Sequence, residues 1–222
     1  MVGRKQIKLT EDELIATSII FFSAGFETTA TTIAHSFLEL AKNPTIQEKL
    51  AQEVENVLKD YPEKNSQFYD AIINRIPYLD AVVKETLRMY PPLVALLRRC
   101  KIDGYKLNGI PIEKDLAIGI SSYAVHHNPE YWPDPETYNP ERFLPGNEHL
   151  RGSQYAFIPF GAGPRNCIGM RFALVELKIC LGEIIRYFRF ERAPNTPDTP
   201  KFAPGSLLLN PSEFPLIVAK RN

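Results

Sequence analysis

The chain has 222 residues, 44% of them apolar and 23% charged, and its 26 basic and 26 acidic side chains cancel to zero net charge. At about 150 residues per domain the length gives roughly one and a half domains, enough to bury a substantial core. Balanced charge excludes a basic nucleic-acid binder, the apolar content excludes wholesale disorder, and three cysteines are too few for a disulfide framework.

Thr10-Glu11-Asp12-Glu13 reads as a capping box opening a helix that runs to Lys42, where Asn43-Pro44 stops it. Some 30 residues at about 1.5 Å rise make a rod of roughly 45–50 Å. Its most apolar stretch, Ile15–Phe26, is interrupted by Thr17, Ser18 and Ser23. It is too short for a membrane span and too far from the terminus for a signal peptide. Asn43-Pro44 caps a second helix to about Lys59, and Pro77 opens a third that ends at Tyr90 before Pro91-Pro92.

Short strands follow at Val94–Ile102, Tyr105–Leu107, Ile110–Ile112 and Leu116–Ser121, with Asn108-Gly109 as a hairpin turn. Periodicity is absent from Asn128 to Gln154, and a run this long without structure usually has a role. Seven of the 19 prolines lie between Pro129 and Pro164. A glycine-rich turn, Phe160–Gly169, then feeds a helix to Phe188, and the tail reads as a strand near Phe190 and a hairpin from Leu207–Leu209 to Leu216–Val218.

Cys167 stands where that turn enters the helix. A helix N-terminus and the nearby cation Arg165 both favour a thiolate. Gly161, Gly163 and Gly169 allow a flat ligand to approach the backbone. No second Cys or His lies at zinc-finger spacing, so tetrahedral zinc is a poor match. A single thiolate suits the axial position of a porphyrin iron, whose other ligands come from the macrocycle. Cys100 and Cys180 lack such a context and read as packing residues.

The run Phe160-x-x-Gly163-x-Arg165-x-Cys167-x-Gly169 resembles the haem-binding signature of the cytochrome P-450 family. The resemblance implies that Cys167 is the proximal thiolate ligand of haem b and the only protein ligand to the metal. It implies that Arg165 pairs with a propionate, and that Phe160, Gly161, Gly163, Ile168, Gly169 and Ala173 contact the cofactor. On a helical wheel Glu85 and Arg88 turn away from the apolar face, which taken alone describes a surface ion pair. Glu85-Thr86-Leu87-Arg88 is however similar to the family's second signature, whose partner is the arginine of Pro140-Glu141-Arg142-Phe143. A buried triad of Glu85, Arg88 and Arg142 is thereby implied, locking the proline-rich loop in place. Ala24-Gly25-Phe26-Glu27-Thr28-Thr29 resembles the family's oxygen-binding segment. By position Thr28 would be a hydrogen-bond donor in the distal pocket and Glu27 a proton relay, with Ala24 and Gly25 leaving room in a locally opened helix. Arg98, in preference to Arg99, would reach a propionate. Leu93, Val94, Ala95 and Leu96 would line the substrate pocket, with Gly205, Ser206 and Leu207 on its other side. His126 and His127 read as structural.

The fold implied is mainly α with small antiparallel β-sheets, a long distal helix passing through the core. Residues 10–220 resemble the C-terminal, haem-ligating portion of one cytochrome P-450 domain, with 1–9 as a lead-in. The detail is nearest the microsomal drug- and steroid-oxidising family-three clan. The implied activity is haem-thiolate monooxygenation of a small apolar substrate. Electrons would come from NADPH through NADPH-cytochrome P-450 reductase, with cytochrome b5 as a further partner and no nucleic acid. The implied location is the cytosolic face of the endoplasmic reticulum membrane, reached through an N-terminal part absent from this sequence, which itself shows no transmembrane segment. Two other readings stand beside it. One is a haem-thiolate isomerase or dehydratase acting on peroxides, against which an intact Thr28 counts. The other is a truncated product with weak or no haem binding.

Overall fold

The computed structural model describes residues 8–202 and 204–221, so most of the expected lead-in, residues 1–7, lies outside the described residues. Helix α1 (Glu11–Lys42) starts at the capping box: Glu13 N donates to Thr10 Oγ1 at 3.3 Å and Thr10 N donates to Glu13 Oε2 at 2.8 Å. Burial begins only at Thr29 and takes in His35, Ser36, Leu38, Glu39 and Leu40. The rod therefore enters the core through its C-terminal part, while Phe22 and Phe26 upstream are 81% and 78% exposed.

The apolar stretch of this helix extends beyond Ile15–Phe26. By length and composition α1 could cross a membrane, with a mean hydropathy of 1.3 over its most apolar 18 residues. The hydroxyls of Thr17 and Ser18 donate to the carbonyls of Glu13 and Leu14 at 2.7 and 2.8 Å, so they satisfy themselves within the helix and do not break the apolar face.

Helices α2 (Pro44–Leu58), α3 (Ser66–Asn74) and α4 (Pro77–Met89) form the core with α1 and a later helix, α6 (Met170–Tyr187). Leu40, Leu50, Val54, Phe68, Ile72, Leu79, Leu177 and Leu181 are buried there. Helix α3 carries little sequence signal of its own. It has nine residues and buries only Phe68, Ala71 and Ile72, held by the Asn65 side chain accepting from Gln67 N and Phe68 N. The helix crossing is tight: a Cβ on Gly182 of α6 would lie 3.1 Å from Ile72 Cγ2 and 3.3 Å from Leu79 Cδ2. Gly182→Val is expected to lower stability by about 1–3 kcal/mol, read as a lower urea midpoint with an unchanged slope.

Strand β1 (Leu96–Arg99) pairs antiparallel with β4 (Ala117–Ile120), and β2 (Lys106–Leu107) with β3 (Ile110–Pro111). Asn108 and Gly109 both take positive φ, 50° and 83°, as a type I′ hairpin requires. A short helix, α5 (Ser122–His126), follows; its five residues are too few to show a helical period. The predicted hairpin between Leu207–Leu209 and Leu216–Val218 does not form. Pro211 and Pro215 offer no N–H to such a ladder. Instead β6 (Leu216–Lys220) pairs with β5 (Phe188–Arg192), and Leu208 bridges to Leu93.

Candidate functional site

Position Pro77 at the start of α4 and Tyr90 at its end, and Glu85 and Arg88 fall on one side, one turn apart. Both are fully buried. Arg88 Nε and Nη2 donate to Glu85 Oε2 and Oε1 at 2.8 and 2.9 Å, a bidentate pair. The remaining Arg88 donors reach the loop beyond: Nη1 to the His126 carbonyl at 2.9 Å and Nη2 to the Pro135 carbonyl at 2.8 Å. Glu85 Oε1 also accepts from Asn139 N at 2.9 Å. Arg142 brings its Nε to 3.4 Å from the same oxygen and donates through Nη2 to the Asp134 carbonyl at 2.8 Å. Burial pushes the Glu85 carboxyl up, against Arg88, Asn139 N–H and Arg142, which favour its charged form. Thus the structure brings Glu85, Arg88 and Arg142 together, and covers the polar side of α4 with residues 126–142. Trp132 and Phe143 pack beneath, with Arg88 5.5 Å from the Trp132 ring centre.

His126 pins the same loop to the cysteine turn. Its Nδ1 lies 3.0 Å from the Arg88 carbonyl, and its Nε2 accepts from Ile158 N at 2.9 Å. The ring is thus neutral with the proton on Nδ1, and burial holds its pKa down at about 3. An unfolded histidine takes up its proton near pH 6.5, so the native state binds fewer protons between about 6.5 and 3. Stability is then full above pH 6.5 and falls as pH drops, by up to about 1.4 kcal/mol per pH unit. Buried His35, held at about 4, adds to the same loss. A series of urea melts from pH 7 to 4.5 is expected to show a falling midpoint, with a shallower fall in His126→Asn.

The cysteine turn is a short 3-10 segment, Gly163–Arg165, followed by Cys167 and the start of α6. Cys167 N donates to the Phe160 carbonyl at 2.8 Å, which closes the loop, and Cys167 itself is exposed. Gly161 and Gly163 take φ of +72° and +75°, conformations that glycine adopts freely. A Cβ on Gly163 would meet nothing within 4 Å, and one on Gly169 would sit 3.9 Å from Cys167 Sγ. The backbone around the thiol is therefore open to a flat group. Ile168 and, in the first turn of α6, Phe172 are 89% and 73% exposed at the same end; Phe172 is an addition to the residues that the resemblance implies. Ala173, partly buried, donates its N–H to the Gly169 carbonyl. Among the described residues no three His, Cys, Asp or Glu side chains converge as a metal-ligand set. One soft donor beside an open glycine backbone fits a haem, which brings four ligands of its own.

Strand β1 places Leu96 and Arg98 on one face and Arg99 on the other. Leu96 Cδ1 would touch a Cβ on Gly161 at 3.7 Å, so Arg98 shares the face turned to the cysteine loop. Arg99 instead donates to the Asp115 carbonyl at 2.6 Å. Arg98 donates to the Leu97 carbonyl at 2.9 Å, and Arg165 is exposed. Among the described residues neither Arg98 nor Arg165 is ion-paired, which leaves both cations available to an anionic group.

The expected pocket walls are neighbours. Val94 N donates to the Leu207 carbonyl at 3.0 Å and Leu209 N to the Pro92 carbonyl at 2.9 Å, so residues 205–209 run beside Leu93–Leu96 and do not face them across a gap. Ala95 is partly buried, and Gly205 and Ser206 are exposed.

In α1, Ala24 and Gly25 are exposed, and a Cβ on Gly25 would meet nothing. The locally opened helix expected here is absent: α1 is unbroken from Glu11 to Lys42. The Thr28 hydroxyl donates to the Ala24 carbonyl at 2.6 Å, an arrangement compatible with an intact ladder. In this rotamer Thr28 presents a lone pair outward, and it must turn about χ1 or its C–O bond to donate. Glu27 is exposed and accepts from Asn210 Nδ2 at 2.5 Å, while Thr31 donates to Asn210 Oδ1 at 3.0 Å. Thr31 lies one turn from Glu27 and could have been found by helical spacing; Asn210, 183 residues from Glu27, carries no sequence signal.

A family model described as Cytochrome P450 matches residues 2–218. Human cytochrome P450 3A7 is 42% identical over 95% of this chain and 40% of its own length. Human cytochrome P450 3A5 is 44% identical over 85% of this chain and 36% of its own length. Cytochrome P450 3A19 of Capra hircus aegagrus is 42% identical over 81% of this chain and 80% of its own length. The chain thus spans well under half the length of the two human relatives it matches.

Proposed function

The chain belongs to the cytochrome P450 family and is of the family-three type, and on that premise we propose that the protein is a haem-thiolate monooxygenase. Its reaction would place one atom of dioxygen into a small apolar organic substrate and release the other as water, consuming two electrons and two protons. Haem b bound at the cysteine turn would supply the redox-active iron that activates dioxygen. Cys167 would hold the iron through its thiolate, with Arg98 and Arg165 pairing the propionates. Glu85, Arg88 and Arg142 keep residues 126–142 in the path that positions the cysteine loop. Thr28 and Glu27 would hold and pass protons on the distal side, Ala24 and Gly25 leaving space beside them. The apolar side chains of Leu93–Leu96, with the adjoining Leu207, favour apolar substrates. Electrons would come from NADPH through NADPH-cytochrome P-450 reductase, with cytochrome b5 as a second partner, at the cytosolic face of the endoplasmic reticulum membrane.

The observation that carries this proposal is the exposed Cys167 thiol set in a glycine backbone open to a planar group, with no competing ligand set among the described residues. The chain loaded with haem, reduced and exposed to carbon monoxide is expected to show the red-shifted Soret band of a thiolate-ligated iron. A band at the position of a histidine-ligated haem would overturn it.

A further inference from the structure

Glu27 is not free in solution: its carboxylate is held by a residue of the tail. Asn210 Nδ2 donates to Glu27 Oε1 at 2.5 Å, and Asn210 Oδ1 accepts from the Thr31 hydroxyl at 3.0 Å. The two contacts fix which way the amide points. A carboxylate accepts only, so it must face the NH2 end, and the hydroxyl then faces the oxygen. The tail that carries Asn210 is itself anchored. Leu209 is buried and bonded to the Pro92 carbonyl, Leu208 bridges Leu93, and Pro211 bridges Phe202. An exposed glutamate on a helix would ordinarily sample several rotamers; here a charge-assisted bond from a fixed donor selects one.

Resting on the monooxygenase reading, we propose that Asn210 is a positioning residue for proton delivery. It holds the Glu27 carboxylate, next to Thr28 along α1, and ties it to the tail segment that bridges Leu93. Aspartate at 210 would set two carboxylates against each other, and leucine would keep the bulk but lose both bonds.

The test uses the full chain loaded with haem in its diamagnetic, reduced, carbon monoxide-bound form, with asparagine 15N-labelled. The Asn210 side-chain amide signal, identified by its loss in Asn210→Leu, is expected to change position in Glu27→Gln, where a neutral acceptor replaces the carboxylate. An amide signal unmoved by Glu27→Gln would overturn the contact. In turnover with reductase, Asn210→Leu is expected to raise the hydrogen peroxide released per NADPH several-fold and to change its pH profile, while Thr31→Val, which spares the Glu27 bond, changes it less. Wild-type coupling and pH profile in an Asn210→Leu chain that keeps the thiolate band would overturn the role of Asn210 alone. A wild-type chain without the band would overturn the haem-thiolate reading and the proton-delivery role with it.

Discussion

Cys167→Ala is expected to abolish the red-shifted carbon monoxide band while leaving the protein folded. The two halves of this expectation come from different observations. The thiol is exposed and its contribution to packing is small, so removal should change stability by no more than about 0.5 kcal/mol. The loop is closed by the Cys167 main-chain N–H on the Phe160 carbonyl, a bond that alanine keeps. Neither remaining cysteine can take over. Cys100 is buried with its thiol on the Ile102 carbonyl, and burial pushes the Cys180 thiol up, away from thiolate character. Optical spectra and urea melts on the same preparation check both halves. An unchanged band in Cys167→Ala would refute the ligand assignment, and a collapse of the fold would refute the claim that the side chain is structurally idle.

Arg88→Leu should do the opposite, taking away a large share of the stability of the fold. It would strip the buried Glu85 carboxylate of its bidentate partner and leave the His126 and Pro135 carbonyls without their donors. Removing one partner of a buried ion pair costs about 3–5 kcal/mol, against a total stability of about 5–15 kcal/mol. Arg142→Leu is expected to cost less, near 1–2 kcal/mol, because its Nε sits 3.4 Å from Glu85 without a well-formed hydrogen bond and its firm bond is to the Asp134 carbonyl. Urea midpoints in the order wild type, Arg142→Leu, Arg88→Leu would check the ranking. Equal losses would show that the three side chains act as one unit.

Much of the architecture was legible because it is written in local signals. The capping box at Thr10, the prolines at 44 and 77 and the Asn108-Gly109 turn each specify a backbone conformation without help from afar, and the elements begin and end close to them. The cysteine turn was legible for the same reason. What escaped was set by distant partners. On a helical wheel alone Glu85 and Arg88 look like a surface pair, and only the family resemblance implies the buried triad that the structure shows. The residues that bury them, 126 to 142, have no periodicity to announce that they will fold over α4. Helices α3 and α5 are too short for their pattern to stand out. The tail was misassigned because Leu216–Lys220 prefers the edge of β5 to a hairpin interrupted by two prolines. Glu27 was picked out, but its partner Asn210 is invisible to any pattern along the chain.

The clamp on α4 grips the loop by its main chain. Arg88 and Arg142 hold the carbonyls of His126, Asp134 and Pro135, and Glu85 holds the N–H of Asn139. Every residue type offers the same carbonyl, so these bonds are indifferent to which side chains stand at 134 and 135, and at 139 they exclude only proline. The consequence is a division of labour between path and identity. The course of the loop is stiffly prescribed, while the exposed side chains at 133, 136 and 137 are free to be exchanged, and a surface with its own binding properties could be written onto those positions without disturbing the cysteine turn that the loop supports; Asp134, at a φ of 49°, is restricted to residues that tolerate the left-handed region.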